Sequence, residues 1–332
     1  MDLSLVIPTW NGRHLLERYL PAVLGELERW QRTQGAVGEL VVSDDGSTDD
    51  TGTWLQSHYP QVRLVHSPQN GGFSAAVNRG VAVADGAVIV LLNNDLYLFS
   101  HALDPILPWF VDPDCFGCTF RALDRVGAFS TGGKQAEWAR GFWHVWKNYE
   151  AGGTVDVAVS ENPSATTSRL RLPSAKLVGG FCAFRRAMFQ ELGGFDLLFS
   201  PYYWEDTDLS FRARKRGWTI GYEPCAQVRH EVSATVVLHA GRFRRQRVIE
   251  RNRLLFHWLN LDGGNLARNL AWTHLLLLQM LLKGNFAYHA GYLSAMSCWP
   301  AILRRRHADR RHWRLPDVAL ALGVPPGGKS TA

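Results

Sequence analysis

Ala87-Val88-Ile89-Val90-Leu91-Leu92 carries no polar residue, and it stops at Asn93-Asn94-Asp95. An apolar run without alternation, closed by polar residues, reads as a strand covered on both faces, the condition of a parallel sheet. Upstream the same grammar repeats. Leu3–Ile7 is a short apolar strand ending at Pro8, and Leu15–Trp30 has apolar residues at helical spacing. Leu40–Ser43 is a second strand, followed by Ser47, Thr48 and Asp49 as cap candidates and a helix to about His58. Val62–Val65 is a third strand, and Asn70-Gly71-Gly72 opens a helix to Ala84. Strands separated by helices predict a Rossmann-like α/β unit, with a mostly parallel central sheet and helices on both faces.

Downstream the rhythm changes. From about residue 112 to 175, Gly, Trp and Ser/Thr-rich stretches point to loops or inserted strands. Regularity returns at Lys176–Arg185 and Ala187–Leu192, then an acidic segment opens a helix near Asp206–Arg216, and Thr219–Tyr222 and Ala226–Arg229 read as short closing strands. From Arg242 to about Arg306 the pattern is helical and basic, with Gly263-Gly264 and Gly284 as breaks.

Composition bounds the answer. Hydrophobic residues at 46% and charged residues at 20% fit a globular chain with a real core and exclude a disordered one. The net charge of +6 hides an asymmetry: Ala240–Arg314 holds 14 Lys and Arg against 3 Asp and Glu, a net +11, which leaves −5 for the rest. Such a basic segment points to an anionic surface or partner. No stretch in it reaches the roughly 18–20 apolar residues a bilayer span needs. Helices lying on an anionic membrane, with Arg304-Arg305-Arg306 and Arg310-Arg311 at the headgroups, compete with a plain helical cap whose basic face is solvated. No nucleic-acid motif accompanies the charge, so no nucleic-acid partner is expected. Five scattered cysteines, and a strand-like start without a basic leader, predict reduced thiols and a cytoplasmic chain, with a peripheral position at the inner face of the cell membrane under the membrane reading.

In an open parallel sheet, ligands bind beyond the carboxyl ends of the strands. Thr9, Asp44-Asp45-Gly46-Ser47 and Asn93-Asn94-Asp95 all stand at such ends. A carboxylate there can take a base N–H, a ribose hydroxyl or a metal. For Asp44 and Asp45 the alternative is capping of the turn and helix that follow.

Seven segments resemble family 2 glycosyltransferases, in order over about residues 3–253. They are Val6–Gly12, Asp44–Asp49, Asn70–Gly80, Leu91–Asp95, Gly179-Gly180-Phe181, Gly193-Gly194-Phe195-Asp196 and Glu205–Arg212. The overall look is similar to bacterial rhamnosyltransferase-like members. The resemblance implies a GT-A fold over residues 1–240, with a nucleotide-binding half to about 110 and an acceptor half after it. Residues 241–332 would form the basic helical C-terminal extension.

It also implies an inverting transfer from a nucleoside diphosphate sugar, with dTDP-rhamnose one candidate donor, to a glycan or polyprenyl-linked acceptor in cell-surface polysaccharide synthesis. By the resemblance, Thr9, Asp44, Asp45, Asn78 and Asn94 lie on the nucleotide side. Asp95 matches the last acid of the family's Asp-x-Asp and would hold Mg2+ or Mn2+ with His230. Asn93 stands where the first acid often does and brings an amide oxygen without charge. Asp206 matches the family's base, with Glu205 beside it. Gly180, Tyr203 and Trp204 fall on the acceptor side, the two aromatics offering either a sugar platform or core packing. The chemistry needs these groups: a cation lowers the cost of charge building on the diphosphate, and a carboxylate takes the proton of the incoming hydroxyl. A homo-oligomer stays open. A sugar nucleotidyltransferase and a non-catalytic nucleotide-sugar-binding module are the competing readings.

Overall fold

The computed structural model describes residues 1–148, 172–230 and 241–321. The N-terminal frame runs β1 (Leu3–Thr9), α1 (Arg13–Gln34), β2 (Gly38–Asp44), α2 (Thr51–His58), β3 (Arg63–His66), α3 (Phe73–Val83) and β4 (Val88–Leu92). Its strands lie parallel in the order β3-β2-β1-β4. Every residue of β1 and β4 is buried, as an unalternating apolar strand between two helical layers must be. One turn apart along α1, Leu16, Leu20, Val23, Leu27 and Trp30 face that sheet. The helix stops at Gly35, whose left-handed backbone lets its N–H reach the Gln31 carbonyl.

The second half is a mixed sheet. After β5 (Leu96–Leu98) and a 3-10 turn at Leu107–Val111 come β6 (Cys115–Leu123), β7 (Phe129–Thr131), β8 (Lys134–Ala139) and β9 (Phe142–Asn148). There follow β10 (Leu172–Pro173), β11 (Phe181–Arg185), α4 (Arg186–Glu191), α5 (Glu205–Lys215) and β12 (Thr219–His230). β11 runs antiparallel between β4 and β6, and the main sheet reads β10-β12-β6-β11-β4-β1-β2-β3. Inserted strands therefore fill much of the stretch that lacked a legible pattern. The two closing strands expected over Thr219–Arg229 are one, with an irregular register between Glu223 and Gln227. Pro224 sits in that interval and has no N–H to give the ladder.

The C-terminal layer consists of α6 (Arg242–Asn260), α7 (Gly263–Leu282), α8 (Phe286–Met296), α9 (Trp299–Arg310) and α10 (Asp317–Ala321). The first break falls at Leu261-Asp262, just ahead of the expected Gly263-Gly264, which are already helical, and the second at Gly284, with φ +64°. A third apolar cluster joins Phe142 and Trp143 of β9, Phe211 of α5, Leu255 and Trp258 of α6, Ala295 of α8 and Ile302 of α9. The helices thus share a core with the α/β domain.

Several of the basic residues are structural. Lys215 is buried between Asp262 and Asp317. Arg306 donates to the carbonyls of Trp258, Leu259 and Leu261, satisfying the C-terminal end of α6. Arg305 pairs with Asp196 and Asp309. The expectation of one cationic row at 304–306 is corrected: only Arg304 of the three is exposed. Among the described residues no helix is long and apolar enough to cross a membrane.

Candidate active site

After β4 the chain passes through Asn93-Asn94-Asp95 and re-enters the sheet as β5, antiparallel to the end of β12 with Leu96 opposite His230. That register sets Asp95 beside His230, with Oδ1 and Nε2 3.4 Å apart. Both atoms are buried, and among the described residues neither has a hydrogen-bond partner. Such a group costs about 1–3 kcal/mol when left unsatisfied, so two facing each other are a place prepared for a third body. Among the described residues no third His, Cys, Asp or Glu completes a metal cluster. The pair still fits a hard divalent cation. Such an ion keeps one or two protein ligands and takes the rest from water and phosphate oxygens, and neighbouring ligands at its corners stand roughly 3 Å apart. Asn93 is fixed from the other side: its N–H donates to the Gly180 carbonyl at 2.7 Å. Gly180 has φ +109°, and a Cβ there would come within 2.5 Å of the Asn93 amide.

The acidic pair opens α5. Asp206 accepts from Lys176 Nζ at 2.8 Å and from the Gly179 N–H at 3.0 Å. Burial pushes its carboxyl up, but Lys176 and these hydrogen bonds outweigh burial and hold it below the usual range. Glu205 is the opposite case. Its Oε2 is buried without a hydrogen-bond partner among the described residues, and burial, then the neighbouring Asp206 charge, push it up to about 8. Gly179-Gly180 therefore separates two contacts, Asp206 on one glycine and Asn93 on the next. This hinge links the strand-end loop to the acidic helix.

Between the ends of β1 and β4, Asn94 Nδ2 donates to Thr9 Oγ1 at 2.9 Å. Gly12 lies against both, since a Cβ there would meet Thr9 Oγ1 at 2.2 Å and Asn94 Nδ2 at 2.4 Å. Asp44 spends one oxygen on the N–H and hydroxyl of Ser47 and the other on His66 Nδ1. Asp45 accepts from the Gly71 and Gly72 N–H groups and from Arg79 Nη2 at 2.7 Å. Both carboxylates shape loops, as the capping alternative describes. Asn78 is likewise engaged at both ends of its amide, by the N–H and carbonyl of Phe195.

Tyr203 and Trp204 both have positive φ, 70° and 76°, a conformation rare for bulky residues and found at functional turns. Trp204 packs on Phe256 and His257 of α6, whereas Tyr203 keeps an exposed ring. What holds this loop is Asn252 of α6. Its Nδ2 donates toward the carbonyls of Phe199, Tyr202 and Tyr203 at 2.6, 2.9 and 3.0 Å. Sequence reasoning missed Asn252 and Lys176. Each lies far along the chain from what it holds, and neither falls in a motif. Lys134 was missed as well; burial and the nearby Lys176 lower its ammonium to about 8.

Gly179-Gly180 thus joins the polar strand ends of this mixed sheet to the acidic start of α5. Residues 4–193 match Glycosyl transferase family 2, and residues 110–303 match Glycosyl transferase family group 2. The chain belongs to glycosyl transferase family 2 and is a glycosyltransferase. The nucleotidyltransferase and non-catalytic readings fall away.

Among curated proteins it is similar to the N-acetylglucosaminyl-diphospho-decaprenol L-rhamnosyltransferase of Mycobacterium tuberculosis, 27% identical over 256 residues, covering 69% of this chain and 75% of the relative. It is also similar to the O-antigen chain rhamnosyltransferase WbaN of Salmonella anatum, 27% identical, with 70% and 67% covered. Among solved structures, GalNAc-T7 with UDP, GalNAc and Mn2+ superposes with a TM-score of 0.58 at 18% identity, over 79% of this chain and only 48% of that one. The mannosyltransferase PcManGT from Pyrobaculum calidifontis, with GDP-Man and Mn2+, gives 0.50 at 16% identity, over 97% and 83%. At these identities the structural likeness speaks for the fold.

Proposed function

We propose that this enzyme transfers a sugar, with inversion, from a nucleoside diphosphate sugar to a hydroxyl of a glycan or polyprenyl-linked acceptor in cell-surface polysaccharide synthesis. The rhamnosyltransferase relatives make dTDP-rhamnose the first donor to test. The observation that carries this reading is the unpaired Asp95–His230 couple at the strand ends. These two residues would hold Mg2+ or Mn2+, which when bound would offset charge on the departing diphosphate. Thr9 and Asn94 border the nucleotide.

Asp206 takes the proton of the acceptor hydroxyl as its oxygen bonds to the anomeric carbon. The bond from that carbon to the phosphate oxygen breaks, and its electron pair leaves with the diphosphate. Lys176 keeps Asp206 ionised and aimed; it acts as a positioning residue. One observation favours Glu205 as the base instead: it is the unpartnered carboxyl, and a group near 8 is a better proton acceptor than one held low. The pH profile separates the two. With Asp206 as base, transfer is flat above about pH 5; with Glu205, it climbs toward pH 8.

The deciding experiment is calorimetric titration of candidate nucleotide sugars with and without Mg2+ or Mn2+, on wild type and on Asp95→Ala. A matched donor should bind at least tenfold (~1.4 kcal/mol) more tightly with metal in the wild type only. Equal metal dependence in the variant would remove Asp95 from the site.

A further inference from the structure

Among the described residues, the last turns of α7 present an unpartnered apolar surface. Leu266, Leu270 and Leu276 of this helix pack on the helical core, and Asn269 and Thr273 are buried on the same side. Leu275, Leu278 and Leu282, spaced by three and four residues, form a second stripe that faces outward. Leu282 is 90% exposed, and Phe286 and Leu293 of α8 extend the surface at 64% and 68%. A helix apolar on both faces belongs in an apolar medium on both; here one face has the core and the other has water. A patch of this kind marks an interaction site.

The surrounding charge identifies the occupant. Residues 263–308 contain no Asp or Glu, while Arg268, Lys283 and Arg304 are exposed in that interval. In a two-fold dimer this surface would face itself, bringing cations together with no acid between them. An anionic lipid surface offers both an apolar layer for the leucines and negative headgroups for the cations.

We propose that the α7–α8 corner, led by Leu278, Leu282 and Phe286 with Lys283 among them, is a membrane-docking face that inserts into the headgroup layer of an anionic bilayer without crossing it. The α6–Asn252 contact would then stand between that face and the Tyr203–Glu205 loop. The proposal does not depend on the donor or on the catalytic assignment.

The test is flotation of the full chain, without nucleotide sugar, with vesicles of phosphatidylcholine alone or mixed with phosphatidylglycerol. Wild type should float with the anionic vesicles at low salt, roughly tenfold more than with neutral ones, and lose that preference in high salt. The combined variant Leu278→Ser, Leu282→Ser, Phe286→Ser changes only exposed side chains and should bind at least tenfold less while keeping the wild-type melting temperature. Lys283→Glu with Arg304→Glu should abolish the preference for anionic lipid. Wild type left at the bottom of the gradient at low salt would overturn the proposal, as would a triple variant that floats undiminished. So would light scattering that shows a wild-type dimer split by the triple variant with no vesicle binding, since the patch would then be a contact between copies.

Discussion

The loop after β2 and the corner between β4 and β12 use the same residue type in opposite ways. Asp44 and Asp45 spend their oxygens on Ser47, His66, the Gly71 and Gly72 amides and Arg79. Asp95 and Glu205 keep buried oxygens that accept no hydrogen bond among the described residues. A satisfied carboxylate stabilises the loop it shapes; an unsatisfied one costs stability and holds that energy for a ligand. Strand-end position alone, which Asp44, Asp45 and Asp95 share, does not tell the two kinds apart. Hydrogen-bond accounting does.

The sharpest way to break this contrast is at the acidic pair. Asp206→Asn should lower the turnover number by on the order of 10²-fold or more with the fold intact, as expected for losing a general base; steady-state kinetics with the matched donor checks it, and near-normal turnover would transfer the role to Glu205. Next in size is Asp45→Asn, which removes the charge from a carboxylate serving two amides and Arg79. It should cost about 1.5–3 kcal/mol in urea unfolding.

Glu205→Gln comes third and has the opposite sign. The folded state holds the Glu205 proton up to about 8, while the unfolded chain releases it near the ordinary 4.5. The stability this contributes is complete below 4.5 and is lost as pH climbs through about 8. Between those limits wild type should lose up to ~1.4 kcal/mol per pH unit relative to the Gln variant, so the variant's advantage grows with pH. A gap that stays constant across a melting series from pH 5.5 to about 8 would contradict the assigned burial. Smallest is Asp95→Asn, whose stability should stay within about 0.5 kcal/mol of wild type without metal, because Asn keeps the shape, the contact with His230 at 3.4 Å is long, and Asp95 Oδ1 has no hydrogen bond among the described residues to lose. A large loss there would mean Asp95 is tied like Asp45.

The N-terminal frame was legible because its signal is local. β1 and β4 are apolar runs closed by turn residues, and the structure moves the expected ends of the strands by only a few residues. The run Cys115–Leu123 escaped notice although it is almost wholly buried. Its partners, β11 and β12, lie far along the chain, and pairing over that distance leaves no periodic trace. The site divides the same way. Asp95, His230, Glu205 and Asp206 were visible as motif positions. That Glu205 is unpartnered while Asp206 is held by Lys176 depends on contacts no spacing encodes. The leucines of α7 read only as an apolar stretch too short to span a bilayer, since burial on one side and water on the other cannot be told apart from the letters alone.

Asn252 reaches from the C-terminal helices to the carbonyls of Phe199, Tyr202 and Tyr203, ahead of the acidic pair. For protein engineering this sets the unit of exchange. A chimera that trades acceptor preference between relatives by cutting near residue 240 would separate the amide from the loop it grips. The graft has to carry the segment from Phe199 through Asn252 as one piece, or be rebuilt so that the incoming helix offers its own donor at that position.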